Sequence, residues 1–228
     1  MNLKVSIIIP YFNHGEFILN TLNSVYKQLY SNIEIILVND SSTDKKSIEV
    51  FNLIDNPLVK KFTIPNGGPC TAKNFGVKEA SGDIIGFLDS DNEFLDGYVL
   101  GAVNALNNIE IDWFYGDAEY FGDKTGVRKQ ELKGKEEIFI NSPVDNCIFI
   151  RKQTFTKLGG FDEYLNFLGL EDWEFILRLI INDKRFVYLP KPMFKYRVIK
   201  SSRSFNEAKK HKNKIEQYVF NKHSESNF

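Results

Sequence analysis

Cysteine, histidine and long apolar runs are all scarce in this chain. Only Cys70 and Cys147 occur in 228 residues, and they match neither a zinc-ligand spacing nor a Cys-x-x-Cys redox pair. His14, His211 and His223 are the only histidines and form no ligand motif. No apolar stretch approaches the ~20 residues needed to span a bilayer. Val5–Pro10 is too short for a secretory signal and lacks a cleavage region. The formal net charge of −1 gives no overall attraction to nucleic acid. These scarcities predict a reduced, cytoplasmic chain with no nucleic-acid partner. Glycine-rich phosphate loops are also missing. After the first strand signal only Gly15 appears, so the Gly-x-Gly-x-x-Gly of dinucleotide-binding oxidoreductases is absent. There is no internal repeat and no low-complexity tract.

Apolar residues are plentiful. They make up 43% of the chain, with 14% aromatic, which is enough for a real core. Continuous apolar runs at Val5–Ile9, Ile33–Val38 and Ile84–Leu88, with a shorter one at Val59–Thr63, read as buried strands. Helical spacing lies between them, at Phe17–Gln28, Lys45–Ile54 and Cys70–Ala80, and again at Leu95–Leu106. Apolar strands separated by helices predict an α/β fold, a mostly parallel sheet covered on both faces. The second half is less regular. Short strands are expected at Trp113–Tyr115, Ala118–Phe121, Cys147–Ile150, Phe186–Tyr188 and Phe194–Val198, and a helix at Trp173–Ile181. Tyr120–Lys135, polar and holding three glycines, is the candidate mobile loop.

Polar residues follow these strands in a pattern. Pro10-Tyr11-Phe12-Asn13 follows the first, Asn39-Asp40 the second and Asp89-Ser90-Asp91 the fourth. Carboxyl ends of parallel strands are where open α/β sheets build their ligand crevice. Singly, each has a plainer reading: Asp40 as a helix cap, Pro10 as a strand stop, Phe12 as core. An Asp-x-Asp pair concentrates negative charge at the sheet edge. A divalent cation carrying a diphosphate relieves it, because hard oxygen ligands suit Mg²⁺ or Mn²⁺.

The ordered set Val5–Asn13, Val38–Asp44, Asn66-Gly67-Gly68, Ala72–Gly76, Ala80-Ser81-Gly82 and Phe87–Asp91 resembles the signature of family 2 glycosyltransferases. The resemblance is strong over residues 3–97 and looser to about 204. It implies a GT-A type, Rossmann-like sheet flanked by helices, with a smaller mixed acceptor-side region. The implied organisation is a catalytic domain at 1–204, its nucleotide-binding half at 1–97 and acceptor-side half at 98–204, with a basic tail at 205–228. It implies transfer of a sugar from a nucleotide diphosphate sugar, a UDP-sugar by expectation, to a glycan or lipid-linked acceptor, with inversion and a Mn²⁺ or Mg²⁺ cofactor. Pro10, Phe12, Asp40, Lys73, Asp89 and Ser90 are then nucleotide-binding residues. Phe12 would stack on the base and Asp40 accept the ring N–H that distinguishes uracil from cytosine. Asp91 and Asp89 would hold the metal.

A second cluster, Gly159-Gly160-Phe161-Asp162 and Gly169-Leu170-Glu171-Asp172-Trp173-Glu174, resembles the acceptor-side Glu-Asp motif of the family. It implies Asp172 as general base, with Glu171 the runner-up. Capping of a helix N-terminus is the plainer reading. Trp173 is either a sugar platform or core. The chain departs from the family at three places. Phe12 stands for Tyr, Lys73 for the more frequent Arg, and Ile199, after Tyr196-Arg197, for a metal-binding His. Arg197, Lys200 and Arg203 are candidates for neutralising the diphosphate instead. His14 reads as polar loop.

The tail from Lys195 onward carries nine Lys and Arg against three Glu. It reads either as a solvated helix or as a peripheral contact with anionic lipid. The alternatives for the whole chain are a sugar-nucleotide-binding protein without transfer activity and a nucleotidyltransferase.

Overall fold

The computed structural model describes residues 2–134, 138, 143–199 and 203–223, with backbone alone for 203–209. In the first half, β1 (Val5–Tyr11), α1 (Ile18–Tyr26), β2 (Ile33–Asn39), α2 (Lys45–Leu53), β3 (Val59–Thr63), α3 (Pro69–Glu79) and β4 (Ile84–Phe87) alternate. The four strands run parallel in the order β3-β2-β1-β4. Successive strand residues point to opposite faces. Ile8, Ile36 and Val38 therefore join the core on one side. Ile7, Ile9, Ile35 and Leu37 join the core on the other. This two-sided burial is why the strands read as unbroken apolar runs rather than alternating ones. Helix α3 lies close against the sheet: a Cβ on Gly76 would come within 2.5 Å of Ile8 Cγ2.

The second half adds β5 (Glu93–Phe94), α4 (Tyr98–Leu106), β6 (Trp113–Gly122), β7 (Gly126–Arg128), β8 (Phe149–Arg151), α5 (Lys152–Lys157), α6 (Glu171–Ile181), β9 (Phe186–Val198) and α7 (Arg203–His223). The sheet continues past β4 as β8-β6-β9-β5, with β7 on β6. β8 is antiparallel to β4, and β9 is parallel to β6. The residues just before β8 therefore lie beside those just after β4.

Two expectations change here. The paired short strands at 113–121 and 186–198 are each one strand, β6 and β9. Pro190 and Pro192, which lack an N–H, sit where the register of β9 slips against Gly116, Asp117 and Ala118, so the strand bulges rather than ends. The candidate mobile loop is largely structured. Ala118–Tyr120 pairs with Gly126–Arg128 as a hairpin, and Gln130 beyond it is fully buried. Lys135, at the end of that segment, lies outside the described residues.

Helix α7 begins at Arg203 and docks on the body of the protein. Ile215 and Val219 are buried. The Tyr218 hydroxyl donates to Asp162 Oδ2 at 2.6 Å, and Lys222 Nζ meets the same oxygen at 2.6 Å and Glu174 Oε1 at 2.9 Å. His223 Nε2 lies 2.9 Å from Glu174 Oε1. Lys222 thus turns inward, whereas Lys210, Lys212 and Lys214 stay exposed. Among the described residues no helix is long and apolar enough to cross a membrane.

Candidate active site

Asp40, just past β2, is buried. Its Oδ1 accepts from Gly67 N–H at 2.8 Å and its Oδ2 from Gly68 N–H at 2.9 Å. Asn66 Nδ2 donates to its carbonyl at 2.9 Å. Gly68 has φ of +91°, and a Cβ there would approach Asn166 Oδ1 to 2.6 Å, so the Asn-Gly-Gly loop closes only with glycine at this point. Pro69 then starts α3. Each carboxylate oxygen of Asp40 keeps further lone-pair capacity toward a ligand. Pro10 and Phe12 lie half-buried at the end of β1. Asn13, at φ of +56°, accepts from Thr43 N–H at 2.7 Å and Asp44 N–H at 3.1 Å, tying this loop to the one after β2.

The Asp-Ser-Asp turn follows β4. Asp89 Oδ1 lies 3.6 Å from Lys73 Nζ, and its Oδ2 accepts from Asn146 Nδ2 at 3.3 Å. Ser90 Oγ is 2.8 Å from His14 Nδ1, so His14 belongs to the rim rather than to an idle loop. Burial holds the Asp91 carboxyl above its usual range. Asp89 adds to this, and His14 and Arg197 oppose it. Arg197 is held between the rings of Phe17 and Phe121 at 4.4 and 4.2 Å, and its Nε donates to the Asp91 carbonyl at 3.0 Å. Ile199 follows the end of β9 and is half-buried. Lys200 and the Arg203 side chain lie outside the described residues.

Lys73 joins this rim to the second cluster. It is 1% exposed, and its Nζ lies 3.1 Å from Glu171 Oε1. Burial works against the ammonium, but Asp89 and Glu171 overcome it and raise its pKa above the ordinary lysine range. Glu171 and Asp172 open α6 after Leu170, whose φ of +61° is strained for a branched residue. Asp172 Oδ1 accepts from Trp173 N–H at 2.8 Å. Burial pushes the Asp172 carboxyl up to about 7; Glu171 and Asp145 add to the shift and Arg128 opposes it. Trp173 is core, with its indole N–H donating to the Ile138 carbonyl, and so is not a sugar platform. Its place in a helical apolar stripe fits the core alternative.

Sequence reasoning missed the remaining members, Arg128, Asp145 and Asn146. Asp145 is buried, and burial pushes its carboxyl up to about 6, opposed by Arg128 and reinforced by Asp89. Asn146 Oδ1 is buried with no hydrogen-bond partner among the described residues, an acceptor that a ligand can satisfy. The available signal was the polar pair Asp145-Asn146 just ahead of the apolar Cys147–Ile150 run. Only the antiparallel placement of β8 beside β4 brings that pair to Asp89.

Among the described residues no group of three or more His, Cys, Asp and Glu gathers as a metal site. The donor set nonetheless fits a hard cation held in part by its substrate. Asp91 and Asp89 offer carboxylate oxygens, no soft ligand intrudes, and the remaining positions are open to phosphate and water.

Asp145 and Asp172 also make a stability prediction. Their folded pKa values lie above the unfolded value near 3.8, so the folded chain holds protons that the unfolded chain has already released. The contribution is full below that value and is lost as pH rises through about 6 and about 7. Denaturant melts of the ligand-free protein should show this pair eroding stability from pH 4 to 8. The erosion should vanish in the Asp145→Asn, Asp172→Asn double variant.

Comparisons with known proteins bear on the family and the fold. Residues 6–164 match the model for Glycosyl transferase family 2, and residues 117–217 that for Glycosyltransferase like family 2. An uncharacterised glycosyltransferase of Rickettsia typhi is 30% identical over 176 residues, covering 72% of this chain and 55% of that protein. The crystal structure of TarS 1–349 from S. aureus in complex with UDP-GlcNAc superposes with a TM-score of 0.74 at 23% identity, covering 89% of this chain and 61% of that one. The mannosyltransferase PcManGT from Pyrobaculum calidifontis, in complex with GDP-Man and Mn²⁺, gives a TM-score of 0.66 at 16% identity, covering 94% and 61%. The chain thus spans a little over half the length of these proteins, and it shares their GT-A fold. The matched family model runs from β1 through the Asp-Ser-Asp turn and the strand β8 that carries Asn146 to its side. On that span the chain belongs to glycosyltransferase family 2.

Proposed function

We propose that this chain is a metal-assisted, inverting glycosyltransferase that takes its sugar from a UDP-sugar and passes it to a hydroxyl of a glycan or lipid-linked acceptor. The observation that carries this reading is the buried Lys73 ammonium, which lies 3.6 Å from Asp89 and 3.1 Å from Glu171. It joins the nucleotide-side turn and the start of the base-bearing helix into one crevice. UDP-GlcNAc and UDP bound to TarS, and GDP-Man and Mn²⁺ bound to PcManGT, support a nucleotide-sugar donor and a divalent cation.

In this reading Pro10 and Phe12 bear on the base, and an aromatic face there orients it at low entropic cost. Asp40 accepts the uracil N–H with the lone pairs its loop leaves free. Asp89 and Ser90 bind the ribose side of the donor. Asp91, with Asp89, would hold Mn²⁺ or Mg²⁺, which when bound neutralises the diphosphate and stabilises charge on departing UDP. Arg197 supplies positive charge next to Asp91 in a chain that has Ile199 where the family has His. Asp172 accepts the proton of the acceptor hydroxyl. The oxygen then attacks the anomeric carbon as its bond to the diphosphate breaks, and the configuration inverts. Glu171 is the lesser candidate base, because Lys73 engages it.

A UDP-sugar panel with Mn²⁺ tests the reading. Release of UDP separates it from a nucleotidyltransferase, which would move the UMP of the donor and release sugar 1-phosphate, and absence of any turnover would leave a binding protein. Asp91→Ala should cut turnover by at least about 100-fold. Asp40→Ala should weaken UDP binding by about tenfold, since it also leaves the Gly67 and Gly68 N–H groups unpaired. Unchanged calorimetric affinity would remove Asp40 from the base pocket.

We place the reaction on the cytoplasmic side, with the exposed lysines of α7 against anionic headgroups. Each such lysine contributes about 1 kcal/mol. Replacing Lys210, Lys212 and Lys214 together by Glu should abolish sedimentation with phosphatidylglycerol vesicles. Undiminished binding, or none in the parent chain, would remove the membrane contact. Truncation is the poorer test, because Ile215 and Val219 are core.

A further inference from the structure

Asp145 is an expensive residue for the place it occupies. It is 5% exposed, yet the one cation paired with it among the described residues, Arg128 Nη1, stands 3.5 Å from its Oδ2. A buried carboxylate is costly unless closely paired and hydrogen-bonded. Its structural bonds do not need the charge. Its N–H donates to Gln130 Oε1 at 2.6 Å, and its Oδ1 accepts from Cys147 N–H at 3.0 Å. An asparagine would keep both.

The surroundings hold Asp145 to one position. Gln130 is itself locked, its N–H donating to Asp117 Oδ1 at 2.9 Å and its Nε2 to the Gly116 carbonyl at 2.5 Å. Asp117 Oδ1 also takes the Tyr188 hydroxyl at 2.6 Å. β6, β9 and the segment after β7 thus fix the acid, and β7 presents Arg128 to it. The Arg128 guanidinium lies 5.9 Å from the ring of Tyr196. Asp145 and Asp172 flank one crevice: Asn146, next to Asp145, donates to Asp89, and Lys73 joins Asp89 to Glu171, next to Asp172. There Asp172 feels Glu171 from its own helix, Asp145 from the segment before β8 and Arg128 from β7. The Tyr196 hydroxyl on β9 stands in the field of the same Asp145, Arg128 and Asp172, together with Asp89 from the end of β4.

We propose that Asp145 is a positioning residue for transfer: it engages the Arg128 guanidinium, so that Arg128 does not pair with Asp172 and Asp172 stays free to take the acceptor's proton. This rests on the reading of Asp172 as the base. Asp145 acts in two ways of the same sign. Its charge repels the ionised form of Asp172, and its pairing occupies Arg128, whose charge stabilises that form. Arg128 acts with the opposite sign.

The test is a ¹³C-detected NMR titration of the side-chain carboxyls in the full chain, with Asp172 assigned by its loss in Asp172→Asn. It is run beside the pH profile of kcat with Mn²⁺ and the UDP-sugar turned over. In Asp145→Asn the Asp172 midpoint should fall by about one pH unit. The acid limb of kcat should follow it, the plateau should drop as the base weakens, and calorimetric UDP affinity should stay unchanged. Arg128→Gln should move both midpoint and acid limb upward. An unmoved Asp172 midpoint, or movement in the same direction in both variants, overturns the proposal while leaving the transferase reading intact. Midpoints that move as stated in a chain that turns over no nucleotide sugar overturn that reading instead, and the proposal with it.

Discussion

Asp172→Asn is expected to lower kcat for sugar transfer by about 10³-fold, within the range that general bases supply, while UDP binds as before. The asparagine Oδ1 can still accept from Trp173 N–H, the bond that the carboxylate makes at 2.8 Å, so the start of α6 keeps its geometry. What disappears is the proton acceptor. The same change removes a carboxyl whose ionised form is opposed by burial, by Glu171 and by Asp145. Above pH 7 the variant should therefore melt at a higher temperature than the parent chain. Higher stability with lost activity is a combination that misfolding cannot produce. In the parent chain kcat should rise with pH through about 7, because only the ionised form accepts a proton. A variant that retains transfer with the parent's pH profile would move the base elsewhere, first to Glu171.

The nucleotide-side half was legible because its signals are local. β1, β2 and β4 bury both faces and announce themselves as apolar runs, and each hands its next residues to the carboxyl edge of the sheet. Asp40, Asp89 and Asp91 follow from that rule without any knowledge of contacts. What Asp40 does within the loop was not legible. Its engagement by Gly67 and Gly68 depends on how α3 begins, 28 residues downstream of the acid for the second glycine. The acceptor side resisted for a different reason. β6 and β9 are long strands, but proline and a slipped register break their pattern into short pieces. Asp145 and Asn146 sit in an unremarked stretch and matter only because β8 runs antiparallel to β4. Arg128 was placed in a polar loop because glycine-flanked, charged sequence reads that way. The hairpin that carries it is stabilised by Gln130, whose burial no local pattern foretells. The resemblance to family 2 pointed to the Glu-Asp motif, but two of the charges that act on Asp172 come from other segments, Asp145 ahead of β8 and Arg128 on β7.

Lys73→Met should cost about 3 kcal/mol, the lower end for breaking a buried ion pair by removing one partner. The lower end applies because the Asp89 side chain is 31% exposed and Glu171 13%, so water relieves part of the penalty. For a chain of this size that corresponds to a melting temperature lower by about 6–12 °C. Methionine fills the space and keeps the contact with Phe161, whose ring the ammonium overlies at 5.2 Å. The loss is therefore electrostatic rather than a cavity. Two carboxylates, one on each side of the crevice, would then repel across the gap that Lys73 bridges. Lys73→Arg is the informative companion. It restores the charge but places a larger planar fork in a site sized for an ammonium, so it should recover part of the stability and not all of it. The Lys73 ammonium donates to Glu171 at 3.1 Å and stands 3.6 Å from Asp89, and in the proposed reading a remaining N–H meets a donor phosphate. A bound UDP-sugar should accordingly raise the melting temperature of the parent chain more than that of Lys73→Met. If calorimetry finds Lys73→Met as stable as the parent, with the same gain from the nucleotide, then Asp89 and Glu171 do not depend on this cation. The two halves of the crevice must in that case be held in register by the sheet alone.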